Sequence, residues 1–559
     1  MFNEAVNLAD IFRGGLPYCL LLTLPILIIC SPGHASEFQV MSMIKFDVNG
    51  EYLGSRSSAI SLEAKSLYTW STGRHCVLAR LLDISINDLN KIRQKAGGLI
   101  IMLPQDVQSL SNELKDQVLM MEQHMLTQSI PIPVHFAPFN RELDLIINDI
   151  TSTAIDNEIR NKTALVQLLL SVNANGYHVT VDGQNNLANK NSKLPVIQGE
   201  SFPNQFVLQH IDSTGEGNGL PLILITANLK TFGVINDYPL NADSAVLMAL
   251  IEMFSKLHTT MGTIPKYRLG FLLSDSGLLL NFQGSKKWLE MDDNIALQNV
   301  EFVLCLDTIT QSLINNQPNV LYMHVSKPPK EKTSISNYFK LLKSVAGHYS
   351  DNLTVEGVHK KINLADSKLS WEHERFCMKR YPAFTLSSAK SPGSPFRTTM
   401  FKNNESYIVE KLITSVKILA ESLACYMYKI DPFSDIFKGH AVITEDNIRP
   451  YLGLKSILQN NDIRDGFEKY LKNVKIFYDK PDEREPDFMF YNSIDAKLSI
   501  YRVKPAIFDL FLTIAISSYL SAVYFVIQFF PRFYVLISTS TNSFIGRSIR
   551  TSPTALKRK

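Results

Sequence analysis

LPLILITA at 220–227, SAVLMALIEMFSKLH at 244–258, YRLGFLL at 267–273, SKKWLEM at 285–291 and VEFVLCLD at 300–307 are the runs on which the reading of this chain turns. The first, third and fifth are apolar throughout, and amphipathic helical segments separate them. Strands that are apolar on both sides and alternate with helices belong to a largely parallel sheet, because crossover helices cover both of its faces. Ligands in such sheets bind beyond the carboxyl ends of the strands. Those ends read Asn228-Leu229-Lys230, Ser274-Asp275-Ser276-Gly277 and Asp307-Thr308.

Downstream, NVLYMHVS (319–326), LTVEGVHKKI (353–362) and YPAFTLSS (381–388) extend the sheet, with SISNYFKLLKSVAGHY (334–349) as an intervening helix. A long helix over 406–430 closes the domain, with Ile408, Val409, Leu412, Val416, Leu419 and Leu423 at helical spacing. Upstream, residues 38–62 hold β-rich runs around Asn49-Gly50, a hairpin turn because both residues tolerate positive φ. Strands and helices then repeat to residue 200, among them GGLIIMLP (97–104), helices near 107–127 and 140–157, and IPVHFAP (132–138). The fold class is therefore α/β: a mixed, mostly parallel sheet flanked by helices, preceded by a smaller α/β lobe. Residues 445–476 are helical in pattern and lead into the charged segment 479–487, which together read as a stalk.

The two ends point to a membrane. Leu16 to Cys30 is apolar and is followed by SPGHA, a small-x-small ending like that of a cleaved signal. Phe511 to Phe530 is uncharged, and at 1.5 Å per residue it covers roughly the 30 Å hydrocarbon core. The tail beyond it carries Arg532, Arg547, Arg550, Lys557, Arg558 and Lys559 and no acid, which places it in the cytosol. The expected organisation is a signal peptide (1–35), an N-terminal lumenal lobe (36–200), the main domain (201–432), a helical stalk (433–506), a transmembrane helix (507–530) and a basic tail (531–559). Sequons at Asn161, Asn352 and Asn404 suit a lumenal compartment.

A net charge of +3 over 559 residues argues neither for nor against a class of partner. No basic patch with interleaved aromatics is present, so sequence-specific nucleic-acid binding is set aside. The tail suits lipid headgroups or ribosomal RNA equally. Six cysteines show no metal-binding spacing. Cys305 reads as a buried small apolar residue in its strand, and Cys76 could pair with Cys377 or Cys425.

The strand-end motifs resemble those of the zinc aminopeptidase and glutamate-carboxypeptidase superfamily. More closely, CVLARLLDIS (76–85), LYMHVSKPPKE (321–331), HKKINLADSKLSWEHERF (359–376), YPAFTLS (381–387) and YRVKPAIFDL (501–510) resemble the nicalin family, nicastrin-like membrane proteins of the endoplasmic reticulum. The resemblance implies an aminopeptidase-like sheet. It also exposes what is missing. Where the superfamily has His-x-Asp, this chain has Asn228-Leu229-Lys230, which loses an imidazole ligand and adds a cation. Where the superfamily has Glu-Glu-x-Gly, whose first glutamate is the general base, this chain has Ser274-Asp275-Ser276-Gly277, and serine cannot serve as that base.

Asp243, Asp275 and Asp307 remain as carboxylates at matched positions. Asp243 and Ser244 also stand where an N-cap of the following helix would stand. The last histidine of the superfamily, expected after the YPAFTLS strand, has no counterpart there. His359 and Glu372-His373 are candidates by chain order, with His373 more readily a surface or structural residue. Three carboxylates without a secure imidazole are too few for a two-zinc site, and calcium has no specific support. No cofactor is expected.

The leading expectation is a non-enzymatic membrane scaffold with a dismantled active site. The resemblance implies a single-pass type I protein of the endoplasmic reticulum membrane. Its implied partners are Nodal modulator and transmembrane protein 147, in a complex tied to the ribosome and the translocon for multipass proteins. Two alternatives stand beside it. One is a residual zinc aminopeptidase that uses Asp243, Asp275, Asp307 and an unidentified histidine; the other is a peptide-binding gatekeeper resembling nicastrin.

Overall fold

In the computed structural model, residues 35–535 are described apart from 57–58, 108, 160–175, 183–187, 190–191, 202–219, 231, 236–240, 261–264, 292–298, 311–318, 351–352, 400–404, 433, 438–441, 455, 458–460, 482–483, 485, 492–494, 504–508, 526–527, 530–531 and 533–534. The signal segment up to residue 34, most of the basic tail, and Asn161, Asn352 and Asn404 lie outside the described residues.

In chain order the first elements are β1 (Ala35–Ser42), β2 (Lys45–Val48), β3 (Glu51–Ser55), β4 (Ile60–Lys65), β5 (His75–Arg80), α1 (Ile86–Lys95), β6 (Gly98–Met102), α2 (Asn112–Thr127), β7 (Ser129–Ile130), β8 (Val134–Ala137) and α3 (Arg141–Ile159). There follow β9 (Gly176–Val181), β10 (Ala188–Asn189), β11 (Leu194–Ser201), β12 (Leu222–Asn228), α4 (Ala242–Thr260), β13 (Arg268–Ser274), α5 (Gln283–Glu290), β14 (Val300–Leu306) and β15 (Asn319–Val325). The last are α6 (Ser334–Tyr349), β16 (Leu353–His359), α7 (His373–Met378), β17 (Ala383–Ser387), α8 (Glu405–Tyr428), α9 (Arg449–Leu452), α10 (Asn461–Tyr470), β18 (Lys472–Asp479), β19 (Phe488–Tyr491) and β20 (Asp495–Val503).

The main sheet has eight strands in the order β16-β15-β17-β14-β12-β13-β11-β18. Its centre is parallel: β12 pairs with β13 and β14, and β14 with β17. Its flanks are antiparallel, with β15 against β17 and β11 between β13 and β18. Alternate residues of one strand feed two cores, which is why these strands read as apolar throughout. Ile223, Ile225, Leu269, Phe271, Phe302 and Leu304 join α4 and α8 on one face. Leu222, Leu224, Leu272, Val303 and Cys305 join Trp288 of α5 and Phe376 of α7 on the other. Each such aliphatic or aromatic side chain contributes about 1.5–3 kcal/mol on full burial. The helical stripe of α8, from Ile408 to Leu423, is buried as its spacing predicts.

The smaller lobe contains a closed barrel in the order β1-β20-β9-β4-β5-β6-β8 and a five-stranded sheet, β10-β19-β2-β3-β7. The β2–β3 hairpin turns on Asn49 (φ 53°) and Gly50 (φ 80°), the positive-φ pair that the sequence predicts. Two compact units result: residues 38–148 with 180–498, and residues 1–37, 149–179 and 499–559. Within the second, the Tyr177 hydroxyl donates to Asp149 at 2.5 Å.

Two expectations are corrected. Residues 433–506 are not a helical stalk, because β18 is an edge strand of the main sheet, β19 joins the five-stranded sheet and β20 enters the barrel. The lobe also does not end at residue 200, because β11 pairs with β13 and β18 in the main sheet. The physical reason is the same in both cases: non-local strand pairing overrides local composition. Cys76, Cys305, Cys377 and Cys425 are free thiols. At the expected span, residues 509–525 are helical, and Leu510, Phe511, Ile514, Tyr519, Tyr524 and Phe525 are exposed. No helix among the described residues is long and apolar enough to cross a membrane.

Candidate functional site

Strand register assembles the site. Asn228 pairs in register with Ser274, and Ala227 with Leu306, so Asn228, Ser274 and Asp307 stand side by side at the carboxyl ends of β12, β13 and β14. After β14 the chain turns at Thr308, whose φ of 54° aims two successive N–H groups at one point. That point is Asp243. Its Oδ2 accepts from Thr308 N at 2.6 Å and its Oδ1 from Ile309 N at 2.8 Å.

Asp243 is therefore not a helix cap, contrary to the sequence expectation. It lies in the first turn of α4 and ties that helix to the β14 loop. Ser244 does not cap either, since its hydroxyl donates to Asn241 O at 2.9 Å. Asn241 holds the turn instead, accepting from Lys230 N at 2.7 Å and donating to Leu454 O at 2.6 Å.

The residue that sequence reasoning missed is Arg397. It sits in a 3-10 turn, Pro395–Arg397, on the loop after β17, the segment in which the resemblance calls for a last histidine. Its side chain has 0% exposure and grips Asp307 with two parallel bonds, Nε to Oδ1 at 3.1 Å and an Nη to Oδ2 at 2.5 Å. Its other Nη donates to Ser370 O at 2.9 Å and Pro392 O at 2.7 Å. The guanidinium lies 3.9 Å from the Trp371 ring centre, and Trp371 stacks on His324 at 4.0 Å. The loop is held from the smaller lobe as well, because Thr399 donates to Glu122 of α2 at 2.7 Å.

Lys230 brings a second cation. Its Nζ donates to Phe396 O at 3.3 Å, and its charge faces Asp243, Asp307 and Glu122. At the strand ends Asp243 and Asp307 thus meet two cations, with Glu122 as a third carboxylate facing Lys230. Burial lowers the Lys230 pKa from its ordinary value, against the pull of those acids. Burial raises Asp243, and repulsion from Asp307 adds to it. Burial also acts to raise Asp307, but the Arg397 charge and hydrogen bonds, with Thr308 and Lys230, bring it below the ordinary carboxylate range.

Behind this cluster, Glu372 accepts from Thr226 Oγ1 at 2.8 Å and Ser285 Oγ at 2.5 Å, and burial raises its pKa. His373 is not a surface residue. It is 1% exposed, with Nδ1 at 2.8 Å from Thr385 Oγ1, and burial with the nearby His324 and Arg397 charges pushes its pKa down to about 3. His373 Nε2 and Asn228 Oδ1 are buried with no partner among the described residues. His359 stands apart, its ring 3.2 Å from Ser326 O.

The expected base position is structural. Ser274 Oγ lies 2.8 Å from Ser276 Oγ and accepts from Ser276 N at 3.2 Å, while Ser276 Oγ accepts from Gly284 N at 2.6 Å. These bonds seat the start of α5. Asp275 turns to another segment, accepting from Ser456 Oγ at 2.5 Å and Ile457 N at 3.2 Å. Burial lifts its pKa to about 7, against those two bonds.

Because Asp275 holds its proton more tightly folded than unfolded, where about 3.9 is usual, its contribution is fully present below pH ~4 and is lost as pH rises toward 7. Asp275→Asn, which cannot ionise, is expected to gain stability relative to the parent across pH 4–7 and to hold a constant difference above it. Urea midpoints measured across that range check this, and a difference that does not change with pH refutes it.

Among the described residues, no group of three or more His, Cys, Asp or Glu is placed to hold a metal ion. The space at the strand ends is a cavity of about 20 Å³ lined by Leu229, Lys230, Phe232, Gly277, Leu278, Leu279, Leu280, Arg397 and Thr398. That is room for about one water, whereas small-molecule pockets run to roughly 300–1,000 Å³.

No protein-family model matches the chain. It is 33% identical over 581 residues to the zebrafish (Danio rerio) protein named BOS complex subunit ncln, covering 96% of this chain and 98% of that one. The human (Homo sapiens) BOS complex subunit NCLN is 33% identical over 547 residues, 93% of each chain. The Caenorhabditis elegans protein named Nicalin is 23% identical over 532 residues, 88% of this chain and 90% of that one. Among solved structures, a Peptidase M28 precursor from Shewanella amazonensis overlaps 74% of this chain and 87% of its own at 9% identity and a TM-score of 0.31. The Legionella pneumophila LapA aminopeptidase overlaps 46% and 57% at 15% identity and a TM-score of 0.28.

Proposed function

This chain belongs to the nicalin family, and from that premise we propose that it is a non-catalytic scaffold subunit of a membrane complex. Its relatives are named subunits of the BOS complex, and we assign this chain the same kind of role. The setting is the endoplasmic reticulum membrane, with a cleaved signal at 1–35, a lumenal ectodomain, a span at 507–530 and a cytosolic basic tail that meets lipid headgroups or ribosomal RNA. The partners are Nodal modulator and transmembrane protein 147, in assembly with the translocon and ribosome that insert multipass proteins. Asn161, Asn352 and Asn404 are the glycosylation candidates.

One observation carries the loss of catalysis: Arg397 clasps Asp307 in the segment where an imidazole ligand would be needed. With Lys230 alongside, the carboxylates already have their counter-charges, and a divalent cation would have to displace two fixed cations. Asn228 and Ser274 supply neither an imidazole nor a base.

The test is purification of the full-length protein in mild detergent, with metal analysis and mass spectrometry of co-eluting chains on one sample. Stoichiometric membrane partners without stoichiometric zinc are expected. Zinc at one or two per chain, with aminopeptidase turnover that Asp307→Ala abolishes, would establish an enzyme instead.

A further inference from the structure

Seven cations gather at one end of the main sheet. Lys327, Lys330 and Lys332 follow β15, Lys360 and Lys361 follow β16, and Lys379 and Arg380 follow α7; all are exposed. Strand register brings the three segments together. Val325 pairs with His359, Lys360 N donates to Val325 O at 3.1 Å, and the His359 ring sits 3.2 Å from Ser326 O. Because β15 runs antiparallel to β17, with His324 opposite Thr385, Ser326 lies beside the start of β17. Lys327 accordingly acts electrostatically on the Cys377 thiol, two residues before Lys379.

None of the seven forms an ion pair among the described residues. The exposed acids within or beside them are Glu331 and Glu356; Lys360 also faces the buried Glu374, and its Nζ donates to Ser370 Oγ at 2.5 Å. Lys368, further along the 360–372 loop, is already matched by Glu51 at 3.3 Å, and Asp366 accepts from Asn363. The surplus is therefore positive. It borders β16, which pairs only with β15 among the described residues and so leaves one edge of its backbone open. Edge strands are ordinarily blunted by charge on the strand itself or by a cover. Here the strand carries one exposed charge, Glu356, with Thr354 and Gly357 exposed beside it, while the seven cations lie beyond the strand's end and outnumber it.

We propose that this corner is a docking site for an acidic, extended protein segment, which adds to the β16 edge by main-chain bonding and lays its carboxylates on the lysines after β15 and β16. The proposal rests on the reading of the chain as a complex subunit and names the chemistry of one interface. An open backbone edge recognises a strand, whereas a headgroup would use the charge alone. Pro328 and Pro329 stiffen the first lysine loop, which lowers the entropy lost on binding.

The test titrates a fluorescent peptide of alternating glutamate and valine into the full-length protein. Saturable binding that weakens with salt is expected. In a Lys360→Glu, Lys361→Glu variant the affinity is expected to fall by on the order of tenfold or more. A peptide of the same charge with prolines in place of valines is expected not to bind, since it cannot pair with an edge. Binding unaffected by the charge reversal, or equal binding of the proline peptide, overturns the proposal. So does binding of phosphatidylserine vesicles without binding of the peptide, which would make the corner a lipid contact. The titration needs neither partners nor metal, so its failure leaves complex membership to the co-purification result, and the reverse holds equally.

Discussion

Arg397→Ala is expected to lower the unfolding free energy by about 3–5 kcal/mol, the usual cost of stranding one partner of a buried ion pair. The side chain is fully covered and makes four hydrogen bonds, two to Asp307 and two to backbone carbonyls. Its removal leaves Asp307 beside Asp243 with only Lys230 to offset two carboxylates, and leaves Trp371 without the cation on its face. Chemical denaturation checks this, and a double-mutant cycle with Asp307→Ala separates the causes. The double variant is expected to lose clearly less than the sum of the two singles, because the second change removes the charge that the first one stranded. Strict additivity would show that Arg397 acts by packing alone and would remove the charge argument for a closed site.

Ser274→Glu, which restores the carboxylate of the superfamily base, is expected to cost several kcal/mol rather than to restore chemistry. The space around Ser274 is already committed: a Cβ placed on Gly284 would stand 2.3 Å from Ser274 Oγ and 2.7 Å from Ser276 Oγ. A side chain two atoms longer than serine would displace the start of α5 or break the serine pair, an overpacking cost of about 1–3 kcal/mol. An uncompensated buried carboxylate adds to that. Thermal unfolding of the variant checks this. Parental stability with newly acquired zinc binding would show that the site is dormant rather than rebuilt.

The central strands were legible because each supplies side chains to two covered faces, so their burial is written as unbroken apolar runs from Leu222 and from Val300. The positions at their ends followed directly, and Asn228, Ser274 and Asp307 stand where the reading put them. Arg397 was not legible, since it lies in a polar loop 90 residues from the aspartate it grips, and no local pattern reports that distance. Asp243 was misread for a related reason. A carboxylate in the first turn of a helix satisfies a capping rule by sequence, and only the turn at Thr308 shows which N–H groups it serves. For His373, between two glutamates, the sequence left a surface and a structural place open, and the burial of Glu372, His373 and Glu374 excludes the surface. In β18, KNVKIFYD is half-exposed along its length, so its alternation is weak and an apparent helical pattern ran through it.

The last strands of the chain carry a consequence for how the molecule is made. β18, β19 and β20 enter three different sheets, and β20 is the neighbour of β1 in the barrel. The first strand to leave the ribosome thus waits for almost the last, and the barrel stays open until synthesis has reached residue 503. Pairings of such sequence separation form slowly and expose unpaired edges meanwhile. Completion of the three sheets is therefore a late event in synthesis, and a nascent chain stalled short of residue 472 would have none of them complete.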